Sequence, residues 1–285
     1  MLSRDSAMHS KQPSSAPILH PDGTLGARLA AKYDLGAAGT LLHFQLPVQL
    51  DSLPMGRFYL ARCTPDTPED RWADWSIYAR RPLFVAGPAQ AGSEPSLTLL
   101  LPHSADAGYG WLQRQSLETR INLSGPYGRI VDLPTTARTL LILCTEALLA
   151  PLLPFIHAML DRGGRVTLAV QNQSEPSSAL LALLPIAVEV QPLPPQAEWA
   201  DALQGVLRWA DHLITALDPA DYTALAQAVR AARFRLEPDF ALAFAAPDLL
   251  CGFGACLACV IPPADGSLTR ACVHGPFFPL EKLVR

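Results

Sequence analysis

Cys251, Cys256, Cys259 and Cys272 stand in a C-x4-C-x2-C-x12-C arrangement near the carboxyl end of the chain. Thiolates so spaced are ligands for a metal or a metal cluster. The residues between the first three, Gly252, Phe253, Gly254, Ala255, Leu257 and Ala258, are small or apolar. They predict a loop that wraps closely around a cluster, with backbone N–H groups turned toward its sulfurs and glycine supplying the left-handed backbone such a wrap needs. A C-x4-C-x2-C triplet with a distant fourth cysteine is an ordering used for two-iron centres, and it differs from the C-x2-C-x2-C-x3-C run of two-cluster proteins. The expectation is a [2Fe-2S] cluster, and therefore electron transfer.

Two other uses of the same cysteines stand beside that one. Structural zinc sites pair C-x2-C hooks, of which Cys256 and Cys259 form the single instance, and a zinc-stabilised binding module would use the cysteines only to fold the tail. Disulfides require an oxidising compartment. Residues 1–15 are polar, without the apolar core of a signal peptide, so the expected compartment is the reducing cytoplasm. The remaining cysteines, Cys63 and Cys144, lie in strand-like runs and are expected to act as small buried hydrophobes. His274, two positions after Cys272, is a candidate donor to a cluster sulfur. No G-x-S-x-G, H-E-x-x-H or P-loop pattern occurs, and no residue is assigned a catalytic role.

A chain of 285 residues with 49% apolar content can bury two domains and a small appendage. A net charge of −4 without a basic stripe argues against nucleic acid as a partner. The apolar stretch 140–160 contains Glu146, Pro151, Pro154 and His157, which argues against a membrane span. Residues 1–25 are rich in Ser, Pro and His without periodicity and are expected to form a mobile lead-in. Strand-like runs follow at 29–33, 40–46, 57–63, 83–86, 97–101 and 120–124, punctuated by Gly and Pro, and predict a small antiparallel barrel over 26–134. Trp72 and Trp75 are expected to pack around it. Over 135–245 the pattern alternates: a strand at 139–144, a helix at 146–160 with Thr145 as N-cap and Gly163-Gly164 as stop, and strands at 165–170, 187–191 and 212–216. A helix at 219–232 follows, capped by Asp218. This predicts a parallel α/β sheet, with a cysteine segment over 246–285 appended to it.

The order of barrel, α/β unit and cysteine segment resembles the electron-transfer subunit of dihydroorotate dehydrogenase, within the ferredoxin-NADP reductase superfamily. The stretches 250–259 and 271–277 are close to that family's cluster signature. Arg80, Arg81, Pro82 and Leu83 are similar to its flavin-binding Arg-Arg-Pro-aliphatic segment, Gly108-Tyr109-Gly110 to its loop at the flavin pyrophosphate, and Gly125-Pro126-Tyr127-Gly128 to the turn that closes its barrel. The resemblance implies a flavin-binding type of barrel, a nucleotide-binding-like α/β unit and a relay from nicotinamide through FAD to the cluster. It also implies a catalytic dehydrogenase subunit as partner in a hetero-oligomer, with pyrimidine biosynthesis as one setting.

This sequence departs from the family's pattern at several of those places. A Ser or Thr hydroxyl expected near the reactive flavin nitrogen is replaced by Phe84, and the Thr expected after the Gly108–Gly110 loop is Trp111. The turn after the first α/β strand, residues 144–150, contains no glycine and carries Glu146, where a phosphate would meet a carboxylate. Ala216, Leu217 and Asp218 occupy the region of a Cys-Gly pair that the family places near the nicotinamide. The chain is accordingly not expected to bind NAD(P)H directly. The alternative to an FAD-and-cluster subunit is a flavin-free [2Fe-2S] wire or assembly subunit of another redox complex.

Overall fold

Each of the six strand-like runs between residues 29 and 124 forms a strand, most of them longer than the apolar pattern alone marks. The computed structural model describes residues 16–66, 77–87, 94–171, 181–262 and 266–284. Strands β2 (Leu25–Asp34), β3 (Thr40–Gln45), β4 (Phe58–Ala61), β5 (Arg81–Gly87), β6 (Ser96–Leu101) and β7 (Arg120–Tyr127) pair antiparallel in the order β2-β3-β6-β5-β4-β7. Pairing of β2 with β7, Leu25 opposite Leu123 through Arg28 opposite Arg120, closes the sheet into a barrel. A two-residue strand, β1 (Ile18–Leu19), adds to β2 opposite Gly26 and Leu25. The expected lead-in over 1–25 is corrected at its end: cross-strand pairing orders residues that local periodicity does not mark. Residues 1–15, Trp72 and Trp75 lie outside the described residues.

Alternation along the barrel strands separates two sets of side chains. Leu29, Phe44, Tyr59, Leu83, Leu97, Leu99, Ile121 and Leu123 fill the barrel. Phe58, Leu60, Phe84, Ala86 and Leu100 point outward and are buried too, because the α/β unit covers that wall. Strand β4 is therefore buried at all four positions, which explains a continuous apolar run where a water-facing strand would alternate.

The second sheet runs β10-β9-β8-β11-β12-β15, from β8 (Thr139–Thr145), β9 (Arg165–Gln171), β10 (Val188–Pro192), β11 (His212–Ala216), β12 (Ala241–Phe244) and β15 (Phe277–Pro279). It is parallel except for β15, which joins β12 antiparallel. A small hairpin pairs β13 (Val260–Ile261) with β14 (Thr269–Arg270) inside the cysteine segment. Leu140, Ile142 and Cys144 of β8 face the barrel side, whereas Leu141 and Leu143 face a separate core beneath the covering helices. The described helices include α1 (Ala107–Arg114), α2 (Leu153–Asp161) and α3 (Tyr222–Arg233).

The helix expected over 146–160 is corrected at its start. Glu146–Leu148 and Ala150–Leu152 are 3-10 turns, and Thr145 makes no side-chain cap. Pro151 and Pro154 have no N–H to donate to an α ladder, so the regular helix begins only at Leu153. Gly163, at φ +75°, ends the turn that follows it. The helix expected over 219–232 is corrected at its start as well: Asp218, its carboxylate accepting from the Ala220 N–H at 2.9 Å, caps a 3-10 turn over Pro219–Asp221, and the α-helix begins at Tyr222. Two short helices, Trp199–Ala202 and Gln204–Trp209, were not expected. Their signal is the four-residue spacing of Trp199, Leu203 and Leu207, all buried. Among the described residues no helix is long and apolar enough to cross a membrane.

One core runs through all three parts of the chain. Leu35, Phe58, Phe84 and Ala86 of the barrel, Leu140, Leu149 and Phe244 of the α/β unit, and Cys259, Cys272 and Phe277 of the cysteine segment belong to the same buried cluster. At the opposite, amino end of the parallel strands a cavity of ≈ 730 Å³ is lined by His212, Asp239, Arg129 and Lys282 among others.

His212 itself is 2% exposed, and burial pushes its pKa down from 6.5 to about 4. The unfolded chain then binds more protons than the folded one between those values, so stability falls as the pH drops from 6.5 toward 4. His212→Leu is expected to remove up to about 3 kcal/mol of that acid-induced loss. Urea unfolding of both proteins at about pH 7 and about pH 4.5 measures it.

Candidate redox site: the cysteine segment and the barrel wall

The loop after β12 turns sharply because Gly252 and Gly254 take φ values of +83° and +80°. Left-handed residues in quick succession turn neighbouring N–H groups to one side, where they form a nest for an anion. Here the anion is the sulfur of Cys251. Its burial acts to raise the pKa, yet the N–H groups of Cys256, Phe253 and Ala255 and the Cys256 thiol hold it down to about 6. The thiolate, which is the metal-binding form, is thereby favoured before any metal is present.

Cys259 and Cys272 are both buried, and their sulfurs lie 3.1 Å apart. Burial first, then the neighbouring Cys259 and Cys251, push the Cys272 thiol up to about 12. A cation at the site would reverse that balance. The four cysteines thus come as two pairs, Cys251 with Cys256 and Cys259 with Cys272. Two thiolates per iron suit a binuclear cluster, and Cys256, which is exposed, marks its outward edge. A mononuclear zinc site would gather its ligands around one centre. The residues present fit the cluster. Cys63 and Cys144 are free and buried apart from this segment, and burial raises both thiols.

The barrel holds the segment in place. The ring of Tyr127 lies against Gly252 so closely that an added Cβ would sit 2.6 Å from it. The next N–H groups, those of Gly128 and Arg129, donate to the carbonyls of Cys272 at 3.0 Å and Gly275 at 2.7 Å. The Gly125–Gly128 turn therefore does more than end the barrel, because it seats the cysteine loop. From the sheet side, Ala245 N–H donates to the Pro276 carbonyl at 2.8 Å. His274 bonds Thr269 Oγ1 through Nδ1 at 3.1 Å, so that nitrogen is turned to the β14 side of the segment.

The residues matched to a flavin site are otherwise engaged. Arg80 reaches the carbonyls of Leu60 at 3.0 Å and Asn122 at 3.2 Å and the Asn122 side chain at 2.6 Å, tying β4 to β7. Arg81 grips Asp106 with Nε to Oδ1 at 2.7 Å and Nη2 to Oδ2 at 2.9 Å. Pro82 is partly buried, its carbonyl accepting from the Tyr109 hydroxyl at 3.0 Å, and Leu83 is fully buried in the barrel. Gly108 and Gly110 lie within α1, where a loop was expected. A Cβ on Gly108 would meet the Arg81 side chain at 3.0 Å, so this glycine gives the arginine its seat. Trp111 packs against the barrel core. The Asp106–Arg81 pair, 25 residues apart in sequence, carried no local signal. At the carboxyl end of β8 the glycine-free turn is likewise filled, with Leu149, Ala150 and Leu152 buried.

Residues 247–284 match the family model described as the iron-sulfur cluster binding domain of dihydroorotate dehydrogenase B. A curated relative, the dihydroorotate dehydrogenase B (NAD(+)) electron transfer subunit homolog of Aquifex aeolicus (strain VF5), is 42% identical over 36 residues; these make up 13% of this chain and 14% of the relative. Among solved structures, the NADH-dependent reduced ferredoxin-NADP oxidoreductase is 17% identical, with a TM-score of 0.65 over 90% of this chain and 88% of that one. Phthalate dioxygenase reductase is 14% identical, with a TM-score of 0.56 over 91% of this chain and 78% of that one. At such identities the likeness is one of fold. Residues 247–284 are thus similar to the iron-sulfur cluster binding domain of dihydroorotate dehydrogenase B, and the chain shares the fold of the NADH-dependent reduced ferredoxin-NADP oxidoreductase.

Proposed function

We propose that this chain is an electron-transfer subunit that holds a [2Fe-2S] cluster at Cys251, Cys256, Cys259 and Cys272 and exchanges single electrons with a catalytic dehydrogenase subunit. The observation that carries the reading is the Cys251 sulfur held by backbone N–H groups beside the Cys256 thiol, together with the buried Cys259 and Cys272 sulfurs 3.1 Å apart. Such a cluster supplies storage of one electron at a time. The chain's own residues do the rest. The N–H groups at Phe253, Ala255 and Cys256 stabilise sulfur charge, Tyr127 backs the loop, and burial of Cys259 and Cys272 keeps water from the inner pair.

A partner is supported by the surface around Cys256. Leu250, Phe253, Leu257, Leu268 and Val273 are 46%, 69%, 60%, 74% and 37% exposed, and all lie within the cysteine segment. Leu250, Phe253 and Leu257 flank the loop that carries Cys251 and Cys256, and exposed apolar side chains of this kind mark an interaction surface. Leu257 also sits at φ +59°, a left-handed conformation that costs a branched residue free energy and is met at functional loops. The name of the curated relative supports dihydroorotate dehydrogenase as the partner. Six free cysteines support a reducing cytoplasm. The fold supports FAD on the barrel as a second station; the residues placed there argue otherwise.

Anaerobically purified protein is expected to contain iron and acid-labile sulfide in equal amounts, about two of each per chain. Zinc without sulfide would overturn the reading. Cys259→Ser is expected to cut the iron content at least about fivefold, because it removes one ligand of the buried pair. Gly252→Ala, whose Cβ meets the Tyr127 ring, is expected to lower cluster occupancy by about half or more, read as iron per folded chain. Leu257→Asp is expected to retain the cluster while weakening association with the dehydrogenase subunit by about tenfold or more in a binding titration.

A further inference from the structure

In a flavin-binding barrel of this type, the arginine of the Arg-Arg-Pro segment and the amino end of the following helix would converge on the dinucleotide's pyrophosphate, one giving a guanidinium fork and the other N–H groups. Both elements are present here, Arg81 and α1. Both are already spent on one carboxylate. Asp106 is the N-cap of α1, where Oδ1 accepts the Tyr109 N–H at 3.0 Å. The same carboxylate receives Nε and Nη2 of Arg81 at 2.7 Å and 2.9 Å, and the remaining nitrogen, Nη1, donates to the Ala79 carbonyl. Each guanidinium nitrogen thus has a protein acceptor, and the edge that would form a fork to pyrophosphate is turned onto Asp106. Arg81 first, then the backbone N–H groups of Tyr109 and Gly108, hold the carboxyl below its ordinary range, so it is an anion at neutral pH. Its own N–H is bonded to Ser104 Oγ at 3.1 Å, which fixes the residue from the other side.

The ring end is closed as well. Phe84 stands where a hydroxyl would face the flavin, and it is 9% exposed. Its ring lies 6.1 Å from Phe58 within the barrel wall and 5.1 Å, edge to face, from Phe244 of β12. Phe244 continues to Phe277 at 5.2 Å, and Phe277 to Phe155 at 5.3 Å. A tricyclic ring entering between barrel and sheet would have to part this seam, which belongs to the common core. The two ends of the dinucleotide site are thus filled by independent devices, one ionic and one aromatic.

We infer that Asp106 stands in for a nucleotide pyrophosphate, and that together with Phe84 it keeps FAD out of this barrel, leaving electron exchange to the cluster segment. The inference concerns the barrel alone, and its test reads flavin separately from iron and sulfide. Full-length, cluster-loaded protein is acid-extracted for flavin and titrated with FAD by calorimetry. The expected result is less than about a tenth of a flavin per chain and no saturable binding at micromolar FAD. The double variant Asp106→Asn with Phe84→Ser frees the fork and reopens the ring site. It is expected to bind FAD at least about tenfold more tightly than the wild type, iron per folded chain being measured alongside. Asp106→Asn alone, which keeps a capping side chain, serves as the variant least disturbed in folding, and is expected to gain affinity for ADP, the pyrophosphate-bearing half. About one tightly held flavin per wild-type chain would overturn the inference. So would folded, cluster-loaded variants that gain affinity for neither FAD nor ADP. Loss of iron and sulfide from the wild type would instead strike the cluster reading and leave the barrel result standing.

Discussion

A seam of aromatic rings joins the parts of this chain, and the rest of the structure depends on it. Phe58 and Phe84 come from the barrel wall, Phe244 from the sheet, Phe155 from the first helix of the α/β unit, and Phe277 from the strand that follows the fourth cysteine. Edge-to-face pairs of this kind contribute about 0.5–1.5 kcal/mol each beyond the area they bury. Their larger effect is positional. Phe277 lies five residues after Cys272, and β15 enters the sheet beside β12, so the seam fixes where the cysteine loop begins and ends. Tyr127, packed 5.9 Å from Phe58 and against Gly252, extends the same contact to the loop itself.

What could be read from the sequence is what local chemistry dictates. The cysteine spacing, the small residues between the cysteines and the β-strand alternation each have a local cause, and each has its counterpart in the structure. Long-range pairing is what escaped. Strand β1 is two residues long and exists because β2 offers it an edge. Thr145 has the side chain of a helix cap, but Pro151 and Pro154 deny the ladder that a cap would start. Gly108 resembles a phosphate-loop glycine in sequence and proves to be the seat of an arginine side chain, because its neighbour Asp106 is that arginine's partner. Only proximity in space could show it.

The same pair changes how electrons would have to arrive. A nicotinamide delivers two electrons together as hydride, and a [2Fe-2S] cluster accepts one. In a reductase the flavin divides the pair. With FAD kept out as inferred from Asp106 and Phe84, that division would fall to another protein, and donor and acceptor at the cluster would both be one-electron carriers.

The continuity of the core has one more consequence. A reductase whose cofactors lie between two lobes has a line along which the lobes can hinge, and opening that line costs little where the contact is polar or wet. Here the line is sealed with phenyl rings and aliphatic side chains, and the cysteine loop is sewn to both sides by backbone bonds. Barrel, sheet and loop thus share one core instead of meeting at an open line. For the proposed partner, gating of electron flow would then lie in its approach rather than in a movement within this chain, and the distance from the exposed edge at Cys256 to its redox centre would be set by how deeply the exposed Phe253 and Leu257 sink into its surface.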